Sequence, residues 1–157
     1  MRAARAECES AGDEVERLSC PSAQPDEDAV VIGIVGGWNG RGRATMLPRQ
    51  VPLEAVAHLV PDSVTATDML RLAAPCVERR CGHFADGRCT LASRIVAGLP
   101  DGEDYFLPCS LRPSCRWWRQ EGAAACRRCP QITVEPSRAS DLLWRVTGPA
   151  PAPSEAA

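Results

Sequence analysis

The sequence predicts a small α+β domain stapled by metal ligation rather than filled by a large apolar core. Three observations lead there. Seven of the nine cysteines fall between Cys76 and Cys129, with His83 among them. Aromatic residues are only 4% of the chain, whereas glycine and proline supply 12 and 14 residues, so little side-chain volume is available for an interior. A domain with so few apolar groups to bury needs cross-links, and thiolate–metal bonds are those this chain offers. Finally, a β-branched run with a turn signal precedes several short helical patterns, which sets an N-terminal β-hairpin ahead of short helices and Cys-rich loops.

Composition divides the chain into an acidic arm over residues 1–28, a Cys-rich metal-binding domain over 29–146, and a Pro/Ala tail over 147–157. The arm carries eight acids against three Arg and few large apolar residues, so it reads as disordered or as a frayed helix around Ala4–Leu18. Cys8 and Cys20 lie in it, far from the other cysteines, and read as free surface thiols. The tail has no core-forming residues and reads as disordered.

Within the domain, Ala29–Val35 and Arg43–Leu47 flank Asn39-Gly40, a pair that tolerates the positive φ of a hairpin turn. The glycines of this loop fit neither phosphate-binding spacing, and the chain has no Lys to meet a phosphate. Pro52–Leu59 reads as a short helix with Pro in its first turn, and His58 lies there on a half-exposed face. Thr65 and Asp68 have the spacing of a capping box, opening a helix that runs to Ala74 before Pro75. Thr90 is placed to cap Leu91–Ala97, with Gly98-Leu-Pro100 as the stop. Pro113 suits the first turn of a helix through Gln120, Gln131–Val134 a short strand, and Leu142–Val146 an apolar patch that docks on the core.

The Leu91–Ala97 helix splits the donors in two. Upstream stand Cys76, Cys81, His83 and Cys89; downstream stand Cys109, Cys115, Cys126 and Cys129. Each half supplies four ligands, the simplest partition, while a helix only about 10 Å long also leaves room for both halves to meet at one site. On one continuous helix Cys115 and Cys126 would lie about 16 Å apart at about 1.5 Å per residue. Sulfurs on one tetrahedral zinc are less than about 4 Å apart. If both bind one centre, the helix must break between them, and Gly122 is the hinge.

Only Cys126-x2-Cys129 has the form of a zinc knuckle. The remaining gaps are irregular, and Cys129-Pro130 resembles the end of a ferredoxin ligand run, although no named ferredoxin spacing matches. An iron–sulfur cluster, with 4Fe-4S as the first candidate, is the leading cofactor; zinc is the alternative, favoured in the upstream half by the His-plus-three-Cys donor set.

Arg residues flank the thiols at Arg79, Arg80, Arg88, Arg116, Arg127 and Arg128. Cationic neighbours offset the negative charge of metal-bound thiolates. Arg116-Trp117-Trp118-Arg119 also has the composition of a phosphate- or partner-binding stripe. A net charge of −2 argues against nucleic acid as an obligate partner. All 18 basic residues are Arg, as GC-rich bacterial coding produces. No apolar run reaches the roughly 18 residues of a membrane span, and nothing at the N-terminus reads as a secretory signal. No catalytic residues are legible, because the chain holds no G-x-S-x-G, H-E-x-x-H or deaminase motif. The expected role is that of a cytoplasmic iron–sulfur protein in electron transfer or redox sensing, with a redox or regulatory protein as partner. The alternative is a zinc-stabilised module for protein or nucleic-acid interaction. An enzyme is the less favoured reading.

Overall fold

The computed structural model describes residues 16–26, 28–36, 43–102, 104, 108–132 and 141–149. Its centre is a four-stranded antiparallel sheet in the order β1-β4-β2-β3. The strands are β1 (Ser19–Cys20), β2 (Val30–Val35), β3 (Ala44–Pro52) and β4 (Leu70–Pro75). β2 and β3 pair from Val35↔Ala44 to Val30↔Pro52, as the two apolar runs require. The Asn39-Gly40 turn expected between them lies outside the described residues, as do Cys8, Ala4, Thr133, Val134 and the tail from Ala150.

Two short helices, α1 (Leu53–Val56) and α2 (Ala66–Met69), lead from β3 to β4. The helix expected over Pro52–Leu59 is cut to α1 and a 3-10 turn at Ala57–Leu59, with Pro52 at the end of β3. The capping box forms, and Asp68 Oδ2 accepts the Thr65 amide at 3.0 Å. The helix it opens lasts one turn. Leu70–Pro75 is a central strand, not the helix expected to Ala74. Leu70-Arg-Leu-Ala-Ala contains no β-branched residue, so local propensity favours helix. Pairing on both sides, with β1 and β2, overrides it.

Alternation along β2 and β4 feeds two cores. Val31 and Leu72 join Ala23 and Ala29 on one face, against Leu53 and Val56 of α1. Ile32 and Ala73 face the other way, toward Leu91, Ile95, Leu111, Trp117 and Ile132. The helices of that layer are α3 (Thr90–Gly98), α4 (Arg116–Glu121), α5 (Ala123–Arg128) and α6 (Asp141–Thr147). Leu143 and Val146 of α6 are buried in this second core, so the Leu142–Val146 patch docks as expected.

A two-stranded ribbon, β5 (Phe84–Ala85) and β6 (Arg88–Cys89), precedes α3. It turns at Asp86-Gly87, both at positive φ, a hairpin signal that the cysteines around it obscure. The architecture is thus a small α+β fold with an antiparallel sheet and short helices. Residues 16–26 of the acidic arm belong to it: β1 pairs with β4, and Pro21 is fully buried.

Candidate metal centres

Downstream, the four cysteines come from one continuous stretch folded on itself. Cys109 precedes a 3-10 turn at Arg112–Ser114, whose first amide bonds the Cys109 carbonyl at 3.3 Å. Cys115 is the N-cap of α4. Gly122 then separates α4 from α5 at φ 62°, ψ −142°, a backbone conformation that side chains rarely adopt, so the expected hinge forms. α5 carries Cys126, with Cys129 one turn on, and the four cysteines line a small cavity closed by Met46, Arg112 and Pro130.

The upstream group differs from the expectation. Cys76 follows β4, Cys81 follows a 3-10 turn at Glu78–Arg80, and Cys89 ends β6 and caps α3. The fourth thiol beside them is Cys20, which interacts electrostatically with Cys76, Cys89 and Cys81. The register Cys20↔Ala74 and the bond from Cys76 N to Leu18 O (2.8 Å) bring it there. Cys20 is therefore not a thiol on a detached arm. The one hint in the sequence is Cys20-Pro21, a second Cys-Pro pair like Cys129-Pro130. All four thiols and His83 line a cavity of about 610 Å³ with Phe84, Leu91, Trp117 and Trp144.

Amide hydrogens converge on the sulfurs. The Cys89 thiolate is favoured by Leu91 and Ala92 N–H at the start of α3, and Cys115 by Trp117 and Trp118 N–H at the start of α4. Ser22 N–H serves Cys20, and His83 N–H approaches Cys81 Sγ at 3.4 Å. Trp117 Nε1 is buried with no hydrogen-bond partner among the described residues, near enough to Cys89 to favour its thiolate. Guanidiniums complete the shells: Arg116 at Cys76, Arg112 at Cys126, and Arg71 Nη2 at Cys129 Sγ, 3.4 Å away.

Arg71 was not singled out by its sequence context. It is 1% exposed in the middle of β4 and stacks over the Trp117 ring, 5.7 Å from its centroid. Its Nε donates to Pro21 O, and Nη1 donates to Cys129 O and Ile132 O, at 2.7–2.9 Å. None of these bonds is to a carboxylate. Opposite it stands Gly33, where a Cβ would lie 3.2 Å from Arg71 Cβ and 3.0 Å from Thr45 O.

In the metal-free protein burial pushes the thiols up: Cys20 from 9.0 to about 11 and Cys115 from 9.0 to about 12. Cys89, Cys126 and Cys129 also rise, burial again being the main cause. His83 is lowered by burial and then by Arg94. Among the described residues, no three His, Cys, Asp or Glu side chains stand close enough to hold a single metal ion. Each set of four sulfurs instead borders a space.

The stripe Arg116-Trp117-Trp118-Arg119 does not present one open face. Trp117 is buried, Arg116 pairs with Glu78 and stacks over Phe84, and Trp118 lies under Arg112. Arg119 pairs with Glu16 at 2.6 Å. His58 sits in the exposed 3-10 turn after α1. No described helix is long and apolar enough to cross a membrane. No protein-family model, curated protein or solved structure matches the chain.

Proposed function

We propose that the chain holds two metal–sulfur centres, one in each group of four cysteines, and that these are iron–sulfur clusters serving electron transfer or redox sensing in the cytoplasm. A redox or regulatory protein is the partner this role calls for. Arg71 is the observation that carries the reading. A buried charge needs a counter-charge, and its sulfur neighbour, Cys129, provides none while it remains a neutral thiol. A bound metal deprotonates its cysteine ligands outright. Four thiolates around a cationic core leave a net negative charge, which Arg71 and Arg112 offset on the downstream side. The N–H groups aimed at Cys20, Cys81, Cys89 and Cys115 serve the same end, since hydrogen bonds to sulfur stabilise the charged form.

Eight cysteines in two fours are the donors that two cubane clusters need. A single zinc ion would draw its sulfurs to within about 4 Å of each other. The upstream cavity, about 610 Å³, has room for a polynuclear core. Cluster binding is tested by anaerobic purification with iron, sulfide and zinc analysis. The expected protein is brown, contains iron and sulfide in equal amounts, and bleaches with dithionite. A colourless protein with zinc in place of iron would overturn the reading and favour the zinc-stabilised interaction module, because the d¹⁰ ion is redox-silent.

A further inference from the structure

We infer that the upstream centre is an all-cysteine site whose fourth ligand is Cys20, delivered by the N-terminal strand, and that His83 is not a ligand. This rests on the reading of the cysteine groups as metal sites, but not on which metal they hold. His83 is the nearer candidate in sequence, two residues from Cys81, whereas Cys20 is 56 residues from Cys76. Geometry reverses that order.

His83 has no lone pair left to give. Arg94 Nη2 lies 2.9 Å from His83 Nδ1, and a guanidinium only donates, so Nδ1 is the acceptor. The ring proton of the neutral imidazole then sits on Nε2. Arg94 is itself held in place by Gly148 O through both Nη1 and Nη2, at 3.3 and 3.2 Å. A metal-bound imidazole uses one nitrogen for the metal and donates a proton from the other to an acceptor. Here the second-partner position is occupied by a cation that donates. The His83 main chain serves the site instead: its N–H approaches Cys81 Sγ, and its carbonyl accepts from Thr90 N and Oγ1 at the start of α3.

Cys20 has what His83 lacks. Its thiol lines one cavity with those of Cys76, Cys81 and Cys89 and lies within electrostatic reach of all three. The pairing of β1 with the end of β4 fixes it beside Cys76. Pro21 is pinned immediately after it by Arg71 Nε at 2.7 Å.

Cys20→Ser and His83→Gln, each in the full chain purified anaerobically, decide the point by metal content per chain. Cys20→Ser is expected to lose half of the bound metal and His83→Gln none. Cys126→Ser, which removes a downstream ligand, gives the reference for the loss of one centre. Retention of all metal by Cys20→Ser, or loss of one centre by His83→Gln, overturns the inference. Cobalt(II) substitution supplies a second readout, since the intensity of the sulfur-to-cobalt band counts thiolates. The band should fall in Cys20→Ser and hold in His83→Gln. If the protein proves to carry zinc, the cluster reading fails while both measurements still report the ligand set.

Discussion

A guanidinium buried without a carboxylate is among the most expensive groups a core can hold, and Arg71 of β4 has no carboxylate partner among the described residues. Removing one partner of a buried ionic pair typically costs about 3–5 kcal/mol. Arg71→Met leaves three carbonyls unpaired in either state, but only the metal-loaded state also loses a charge-assisted contact to sulfur. The loaded protein should therefore lose more stability than the metal-free protein, by roughly 1.5–3 kcal/mol, in paired thermal melts. The downstream reduction potential should fall, since a cation no longer favours the more negative reduced form, while the upstream potential holds. Equal losses in both states, or a shift of both potentials, would separate Arg71 from the centre. Protons give a second residue-scale test. In the metal-free fold Cys20 and Cys115 titrate at about 11 and about 12, above the ordinary 9.0. The folded thiols thus hold protons more tightly than unfolded ones, a contribution complete below 9.0 and lost as pH rises through those values. Metal uptake displaces the same protons, so apparent affinity should rise from pH 6.5 to 7.5 in chelator competition. A flat profile would mean the thiols are already ionised.

Among the elements, the hinge was legible because it follows from arithmetic: eleven residues of continuous helix cannot return two sulfurs to one centre. Gly122→Ala tests it. A Cβ there meets nothing within 4 Å, so the penalty is purely that of the backbone at φ 62°, about 1–3 kcal/mol. Downstream metal should be lost or weakened while the upstream centre stays, as metal analysis and spectra would record. β4 was illegible for the opposite reason, since Leu70–Ala74 follows a true capping box and lacks strand formers, and only its neighbours make it a strand. Cys20 was hidden with it. Its place is fixed by pairing with β4, and a sequence that conceals the strand conceals what the strand brings to the site. The downstream cysteines, all on local turns, were grouped from their spacing alone.

At the scale of the molecule, two modest apolar cores flank a four-stranded sheet, and both cysteine groups lie on the side covered by α3 and α4. Trp117 stands between the two groups: it lines the upstream cavity with Cys89 and follows Cys115 by two residues at the start of α4. Gln120 of the same helix clamps the Cys89 backbone from both sides, at 2.8 and 2.9 Å. If these contacts depend on charged sulfurs, chelation removes the reason for much of the packing. The metal-free chain should lose its cooperative far-UV melt, because chain entropy is then opposed by too little burial. A chelated protein that still melts cooperatively would show that the cores suffice alone.

The sheet ends differently at its two sides. At one side β3 carries Pro48, which has no amide hydrogen to offer, and its register with β2 slips between Val31 and Gly33. Proline and irregularity of this kind blunt an edge against recruitment of another chain. At the other side the guard of β4 is the two residues of β1, tied down by the Arg71 bond to Pro21 O, by the bridge from Ser19 to Cys115 and, in the proposed centre, by the thiol of Cys20. Release of that thiol would remove one of these ties and loosen the strand that shields β4 from intermolecular pairing. Oxidative loss of the upstream centre would then be an aggregation trigger as well as a loss of function. Light scattering of Cys20→Ser should show oligomers at concentrations where the wild type and His83→Gln stay monodisperse.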